Sequence, residues 1–370
     1  MPPALLPHFA LAAPPLRRRR LLGALAAGLL PALPALALAP RTLRFPRDHG
    51  SHPELRTEWW YATGRLEAED GAVFGFQLTF FRSRVDGTQA LRSAFAARQL
   101  IFAHAALSDL RAGRLHHDQR IARAGFGIAE AAEDDARVRL RDWSLRRDAA
   151  SGAYAAEAPG ADFGLSLRLA PTQPPLLQGQ AGLSRKGPDA SQASYYYSQP
   201  QLAVQGRIAV AGQPPRPVRG RAWLDHEWSE ALMHPEAVGW DWIGMNLDDG
   251  AALTAFRLRR ADGSALWAGG SWRAAGDAPV QAFGADTVRF TPRRRWTSPA
   301  SRATYPVAWT VETPAGRFEV ASLLDDQELD SRGSTGAIYW EGLSELRDAQ
   351  GRRLGAGYLE MTGYAQALRL

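Results

Sequence analysis

Beyond the N-terminal region, apolar and polar residues alternate in short runs, and no window sustains a helical period. Glu58–Leu66 leads through Asp70-Gly71 into Val73–Arg82. Trp240–Leu247 leads through Asp249-Gly250 into Ala252–Arg259, and Asp262-Gly263 opens Leu266–Trp272. Thr310–Thr313 returns through Ala315-Gly316 as Phe318–Leu323, and Gly342–Arg347 through Gln350-Gly351 as Leu354–Tyr364. A tight Gly-containing turn between alternating runs is the signature of a β-hairpin. Many hairpins at this spacing predict an all-β chain built as antiparallel barrels or sandwiches.

One hairpin pattern occurs twice. Trp59-Trp60-Tyr61, Asp70-Gly71 and Phe80-Phe81-Arg82 are echoed by Trp240-x-Trp242, Asp249-Gly250 and Phe256-Arg257. The echo predicts two similar β domains, each opening on a Trp-bearing strand. Pro171–Ser194 reads as a long loop, and Tyr195–Tyr197, Gln201–Val210 and Val218–Leu224 as strands closing the first domain. The boundary is expected near residue 226, giving domains 40–226 and 227–370.

Strand parity sorts the candidate chemistry. Trp223-Leu224-Asp225-His226-Glu227-Trp228 and Gly239-Trp240-Asp241-Trp242 together hold four Trp, one His and three carboxylates. Asp225 and Glu227 share one face; Leu224, His226 and Trp228 share the other. Asp225 and Glu227 are either solvated, paired with Arg219 and Arg221, or part of a ligand site. Asp241 lies opposite Trp240 and Trp242, among apolar side chains. There it is either a general acid of raised pKa or half of a buried salt bridge between the domains. In the first domain Glu58 and Trp60 share a face opposite Trp59 and Tyr61. Phe74, Phe76, Leu78, Phe80 and Arg82 form one face of the next strand; Gly75, Gln77, Thr79 and Phe81 form the other. That apolar face is expected to line a cavity, with Gln77 and Thr79 as hydrogen-bonding points, and Tyr195-Tyr196-Tyr197 either point into it or cap its rim.

Charge adds a localisation. The net charge of +6 includes Arg17–Arg20, which precede an apolar run from Leu21 to Leu38. This is the layout of a twin-arginine export signal, with Ala37-Leu38-Ala39 or Ala35-Leu36-Ala37 as cleavage site. Removing residues 1–39 takes away four Arg and no acid, so +6 falls to +2 and the case for a nucleic-acid partner goes with it. Gly28, Pro31 and Pro34 interrupt the run, so no permanent membrane span is expected. The expected location is periplasmic or secreted. With no Cys, disulfides, thiolate metal sites and cysteine nucleophiles are excluded. His49, His52 and Glu58 match no metal-binding spacing, nor do His226 and His234, so no metal is expected. No nucleophile elbow, P-loop or dinucleotide fingerprint occurs, and no cofactor is expected.

Six motifs resemble one family: His49-Gly50-x-His52-Pro53, Glu58-Trp59-Trp60-Tyr61-x-Thr63-Gly64, Gly75-Phe76-Gln77-x-Thr79-Phe80-Phe81-Arg82, Ala222–Trp228, Gly239–Trp242 and Gly357–Tyr364. The chain resembles the AttH-like, lipocalin-like secreted proteins, relatives of the carotenoid 1,2-hydratases. The resemblance implies two tandem lipocalin-like (calycin) barrels. Its hydratase branch implies addition of water across a carbon–carbon double bond without a cofactor, by an Asp near a His-x-Trp motif. Here that motif is His226-x-Trp228, and the acid corresponds to Asp241 or Asp248. The expectation is therefore an exported protein that binds an isoprenoid- or lipid-like molecule between two barrels, with hydratase or hydrolase chemistry. Trp60, Trp228, Trp240 and Trp242 would supply apolar walls. Glu58, Tyr61, Gln77, Arg82, Tyr196, Asp225 and Glu227 would line the ligand site. The rival is a non-catalytic periplasmic carrier or an accessory factor of an export system.

Overall fold

The structure, a computed structural model, describes residues 37–368. The expected export signal lies almost wholly outside them. Among the described residues, helix is limited to three short 3-10 turns, at Arg47–His49, Asp86–Thr88 and Ala285–Thr287, and no helix is long and apolar enough to cross a membrane. The rest is built on two antiparallel sheets of 13 and 10 strands. The first runs from Thr57 to Ala231 and the second from Gly239 to Met361. Residues 232–238 join them, and His226 sits inside the last strand of the first sheet.

Both sheets curl toward closure by the same device. The Trp-bearing strand Thr57–Ala68 pairs on one side with Val73–Arg84 and on the other with the late strand Arg216–Ala231. Its counterpart Gly239–Leu247 pairs with Ala252–Arg259 and with the late strand Arg353–Met361. Joining the first strand to the last curls each sheet into a lipocalin-like barrel, and it explains the repeat read in the sequence. Gly71 and Gly250, both at positive φ, make the two matching turns.

Alternation then divides the side chains among three apolar regions. Trp60, Ala62, Leu66, Phe74, Phe76, Leu78 and Phe80 fill the first barrel. Ile243, Met245, Leu253, Trp309, Trp340 and Leu359 fill the second. Tyr61, Trp223, Trp242, Phe256, Leu343 and Tyr358 pack between the barrels. The apolar face of Val73–Arg84, expected to line a cavity, is thus packed core. Its opposite face looks toward the second barrel.

Candidate active site

Between the outer faces of the two barrels lies a cavity of about 900 Å³. Hydrogen-bond register builds its walls row by row. From the first barrel, Ser198, Asp225, Tyr61, Thr79 and His104 stand side by side on five neighbouring strands. The adjacent row is Tyr196, Glu227, Trp59, Phe81 and Phe102. The second barrel answers with Phe256, Trp242, Glu360 and Glu341, again on consecutive strands. Trp240 and Leu258 form the next row. The result is an aromatic slot holding four carboxyl groups.

The four carboxyls differ in their partners. Asp225 accepts hydrogen bonds from Tyr196 Oη, Ser198 Oγ and Trp223 Nε1, each at 2.6 Å. Burial dominates over these donors, and with the charge of Glu227 it pushes Asp225 up to about 7. Glu227 pairs with Lys186 Nζ at 2.9 Å and accepts from Ser194. Lys186 lies over the rings of Tyr196 and Phe256, at 4.6 and 4.4 Å from their centroids. Lys186 is thus drawn to Glu227 and two ring faces, leaving the other carboxyls without a cation of their own.

Glu341 and Glu360 face each other across two strands. Burial, followed by the charge of its neighbour Glu360, holds Glu341 well above the carboxylate range. Burial raises Glu360 to about 8, with Asp225 and Glu227 adding to the rise against a lowering contact from Trp240. Both shifts favour the protonated carboxyls at neutral pH, and the two groups titrate as a pair. Glu341 Oε1 and the Tyr61 hydroxyl are buried without a well-formed hydrogen bond to a protein group. Tyr61 lies near enough to Glu341 to oppose part of its rise, so the two unsatisfied groups are neighbours on the cavity wall.

At the far end the two barrels are tied by His104, whose Nδ1 lies 2.7 Å from Tyr339 Oη and whose Nε2 lies 2.9 Å from Ser334 Oγ. Burial, with a smaller effect from His117, lowers His104 to about 3, so it is neutral and bridges the barrels by hydrogen bonds alone.

A second polar cluster is buried at the end of the first barrel. Glu58 Oε1 is 2.8 Å from His52 Nδ1 and 3.0 Å from His226 Nε2, while Oε2 accepts from Arg82 Nε at 2.7 Å and from Ser51 Oγ at 2.9 Å. His52 stacks on Trp228 and His226 on Trp60. Burial opposes ionisation of Glu58, but His226, His52 and Arg82 outweigh it and hold the carboxyl well below its usual range. His52, Glu58 and His226 offer donor atoms within 4.8 Å of one another. The donor set suits a metal poorly: the Arg82 guanidinium 2.7 Å from Glu58 already neutralises the one carboxylate and would repel a cation.

The expected residues therefore separate. Asp225, Glu227, Tyr61, Tyr196, Trp240 and Trp242 meet on the cavity. Glu58 and Arg82 reach its wall but are consumed by each other. Trp60, Trp228 and His226 belong to the first barrel's interior, not to the cavity wall. Gln77 is buried and donates to Thr79 at 2.5 Å. Asp241 points into the second barrel, where Arg257 Nε at 2.7 Å, Arg259 Nε at 3.3 Å and the Tyr364 hydroxyl at 2.8 Å take up its oxygens. It is a buried ion pair within one barrel rather than between two. Asp248 sits at an exposed turn beside Arg353. The arginines expected to meet Asp225 and Glu227 do not; hydroxyls, an indole and Lys186 do. Sequence reasoning missed Trp59, Lys186, Glu341 and Glu360. Trp59 and Glu360 carried a signal, their places in the Glu58–Gly64 and Gly357–Tyr364 motifs; Lys186 and Glu341 carried none.

The AttH-like family model matches residues 36–364. An AttH of known structure from Nitrosomonas europaea is 47% identical, with a TM-score of 0.82 over 89% of this chain and 99% of that one. Kievitone hydratase from Nectria haematococca superposes with a TM-score of 0.66 at 14% identity, over 89% of this chain and 98% of its own. CghA in complex with Sch210972 does so with a TM-score of 0.51 at 14% identity, over 84% and 89%. At those identities the last two share the fold. No curated protein matches the chain.

Proposed function

The chain belongs to the AttH-like family, and from that premise and the chemistry of its cavity we propose a cofactor-independent hydratase acting on an apolar, isoprenoid-like alkene held between the barrels. The observation that carries this reading is the Glu341–Glu360 pair, which keeps a proton at neutral pH on an aromatic wall. Hydration needs an acid that delivers a proton to carbon, a surface that tolerates the cation formed, and a base for the incoming water. The pair is the acid: its proton passes to one alkene carbon. The π faces of Trp240, Trp242 and Tyr61 stabilise the positive charge left on the other. Water attacks that carbon, and its proton goes to Asp225, directly or through the Tyr196 hydroxyl. Exchange with solvent then returns a proton to the pair. Kievitone hydratase shares the fold, which makes the chemistry compatible with the scaffold.

The arginines and apolar run at the N-terminus place this activity outside the cytoplasm in the same proposal, and N-terminal sequencing of the mature protein tests that part. Incubation with acyclic isoprenoid alkenes in H₂¹⁸O tests the chemistry. The expected result is product one water heavier with ¹⁸O on carbon, lost in Glu360→Gln while ligand binding persists. Ligand recovered unchanged from the parent protein would favour the carrier reading, in which the same cavity holds cargo.

A further inference from the structure

The row Thr57, Ser83, Leu100 and Arg123 is the next one outward on the first barrel, and its first three residues line the mouth of the cavity. Arg123 carries an aromatic platform. Its guanidinium lies 4.1 Å from the Phe126 ring and 5.4 Å from the Phe95 ring, and the rings stack on each other at 5.6 Å. Arg123 also donates to the Phe95 carbonyl at 2.7 Å, tying the loop after Val73–Arg84 to the loop after Arg114–Arg123. Phe95 is 74% and Phe126 55% exposed, and Leu91, Ile121 and Ile128 are exposed around them.

Two features separate this patch from incidental surface. Phe126 has φ of +56, between Gly125 at +106 and Gly127 at +67. Left-handed backbone is unfavourable for a bulky residue, so a phenylalanine held there and turned to solvent is not explained by folding. The charge also leaves cations in excess: the flanking Asp86, Asp118 and Glu130 are paired with Arg84, Arg120 and Arg139, whereas Arg92, Arg98 and Arg123 make no ion pair among the described residues. Exposed rings beside unpaired arginines fit a membrane interface with anionic headgroups, where rings enter the acyl boundary and guanidiniums meet phosphate.

We propose that the Phe95–Arg123–Phe126 platform docks on bilayers containing anionic phospholipid and presents the cavity mouth to the lipid, from which apolar ligand enters. The proposal does not rest on the hydratase chemistry; a carrier would use the same face.

The chain has no Cys, so Ala94→Cys in the full chain places one environment-sensitive fluorophore on the loop. This reports the loop itself, independent of the apolar N-terminal run. Vesicles of phosphatidylcholine with phosphatidylglycerol should shift its emission to the blue, pure phosphatidylcholine far less, and added salt should reverse the shift. In this labelled background, Phe95→Ser with Phe126→Ser should weaken anionic-vesicle affinity at least about tenfold. Phe126→Asn should weaken it while leaving thermal stability equal or higher, because Asn accepts the left-handed backbone. An unshifted label, or a double variant that binds like the parent, overturns the proposal. An equal response to neutral vesicles overturns its anionic part. If the double variant instead dissociates a dimer and leaves vesicle binding unchanged, the platform is a self-association surface and the proposal fails.

Discussion

Glu341 and Glu360 are register partners on neighbouring strands, with both carboxyls on the face turned to the first barrel. Directly opposed like charges destabilise a sheet, and burial makes them worse. The arrangement is tolerable only if the pair stays protonated. A fold that keeps such a pair gives up stability at the place where a ligand would sit, as functional sites commonly do.

That cost has a sign and a window. Glu360 goes from an ordinary 4.5 to about 8 in the folded state, and Glu341 moves the same way. Between those values the folded protein holds a proton that the unfolded chain releases, so their contribution to stability falls as pH rises through the window. Glu360→Gln removes it. Urea unfolding should show the variant close to the parent at pH 5 and more stable by about 1–3 kcal/mol above pH 8. A pH-independent difference between the two would refute the retained proton.

Three aspartates, one proposed as the base and two expected as the acid, predict different failures. Asp225→Asn should fold normally and lower kcat by about 10²–10⁴-fold if Asp225 takes the proton from water. Asp241→Asn leaves Arg257 and Arg259 without their counter-charge inside the second barrel, and should cost about 3 kcal/mol of stability. Once folded, it should turn over substrate like the parent. Asp248→Asn touches only an exposed pair and should change neither. Paired melting and single-turnover measurements distinguish all three.

How much was legible in the sequence follows from what each signal depends on. Hairpins depend on local turn chemistry, so Asp70-Gly71 and Asp249-Gly250 revealed both barrel openings. Parity depends only on extension, so it correctly put Asp225 and Glu227 opposite His226. Parity does not say which face is interior when a sheet is covered on both sides. That is why Trp60 was expected on the ligand wall, where Trp59 stands. Lys186 was invisible because it comes from the Pro171–Ser194 stretch read as loop, which folds back with short strands at Leu176–Leu177 and Leu183–Arg185. Glu341 and Glu360 are remote in sequence from the first barrel, and only closure of the second barrel brings them to the cavity.

The network inside the first barrel supports a stability prediction of opposite pH sign. Glu58 is held well below its usual range by His226, His52 and Arg82 despite burial. Its contribution is present above the unfolded value of 4.5 and is lost as pH falls below it. Arg82→Ala leaves Glu58 buried without its permanent cation and should cost about 3–5 kcal/mol near neutral pH. Acid titration of the melting temperature should then show a shallower decline in the variant than in the parent, since Glu58 has less depression left to lose.

The contact between the barrels can be tested without disturbing either core. Gly75 lies on the outer face of Val73–Arg84, and a Cβ built there would stand 2.7 Å from the Tyr358 hydroxyl and 2.9 Å from Leu343 Cβ. Both neighbours belong to the second barrel, so a side chain at Gly75 must push the barrels apart. Gly75→Val should cost about 1–3 kcal/mol by overpacking, with the loss confined to the interface. Calorimetry should resolve the single transition expected of the parent into two, and limited proteolysis should cut first within 232–238, the segment joining the sheets. Affinity for an apolar cavity ligand should fall in parallel, because its two walls no longer meet. A variant that unfolds in one step with unchanged affinity would show that this close approach does not hold the cavity together.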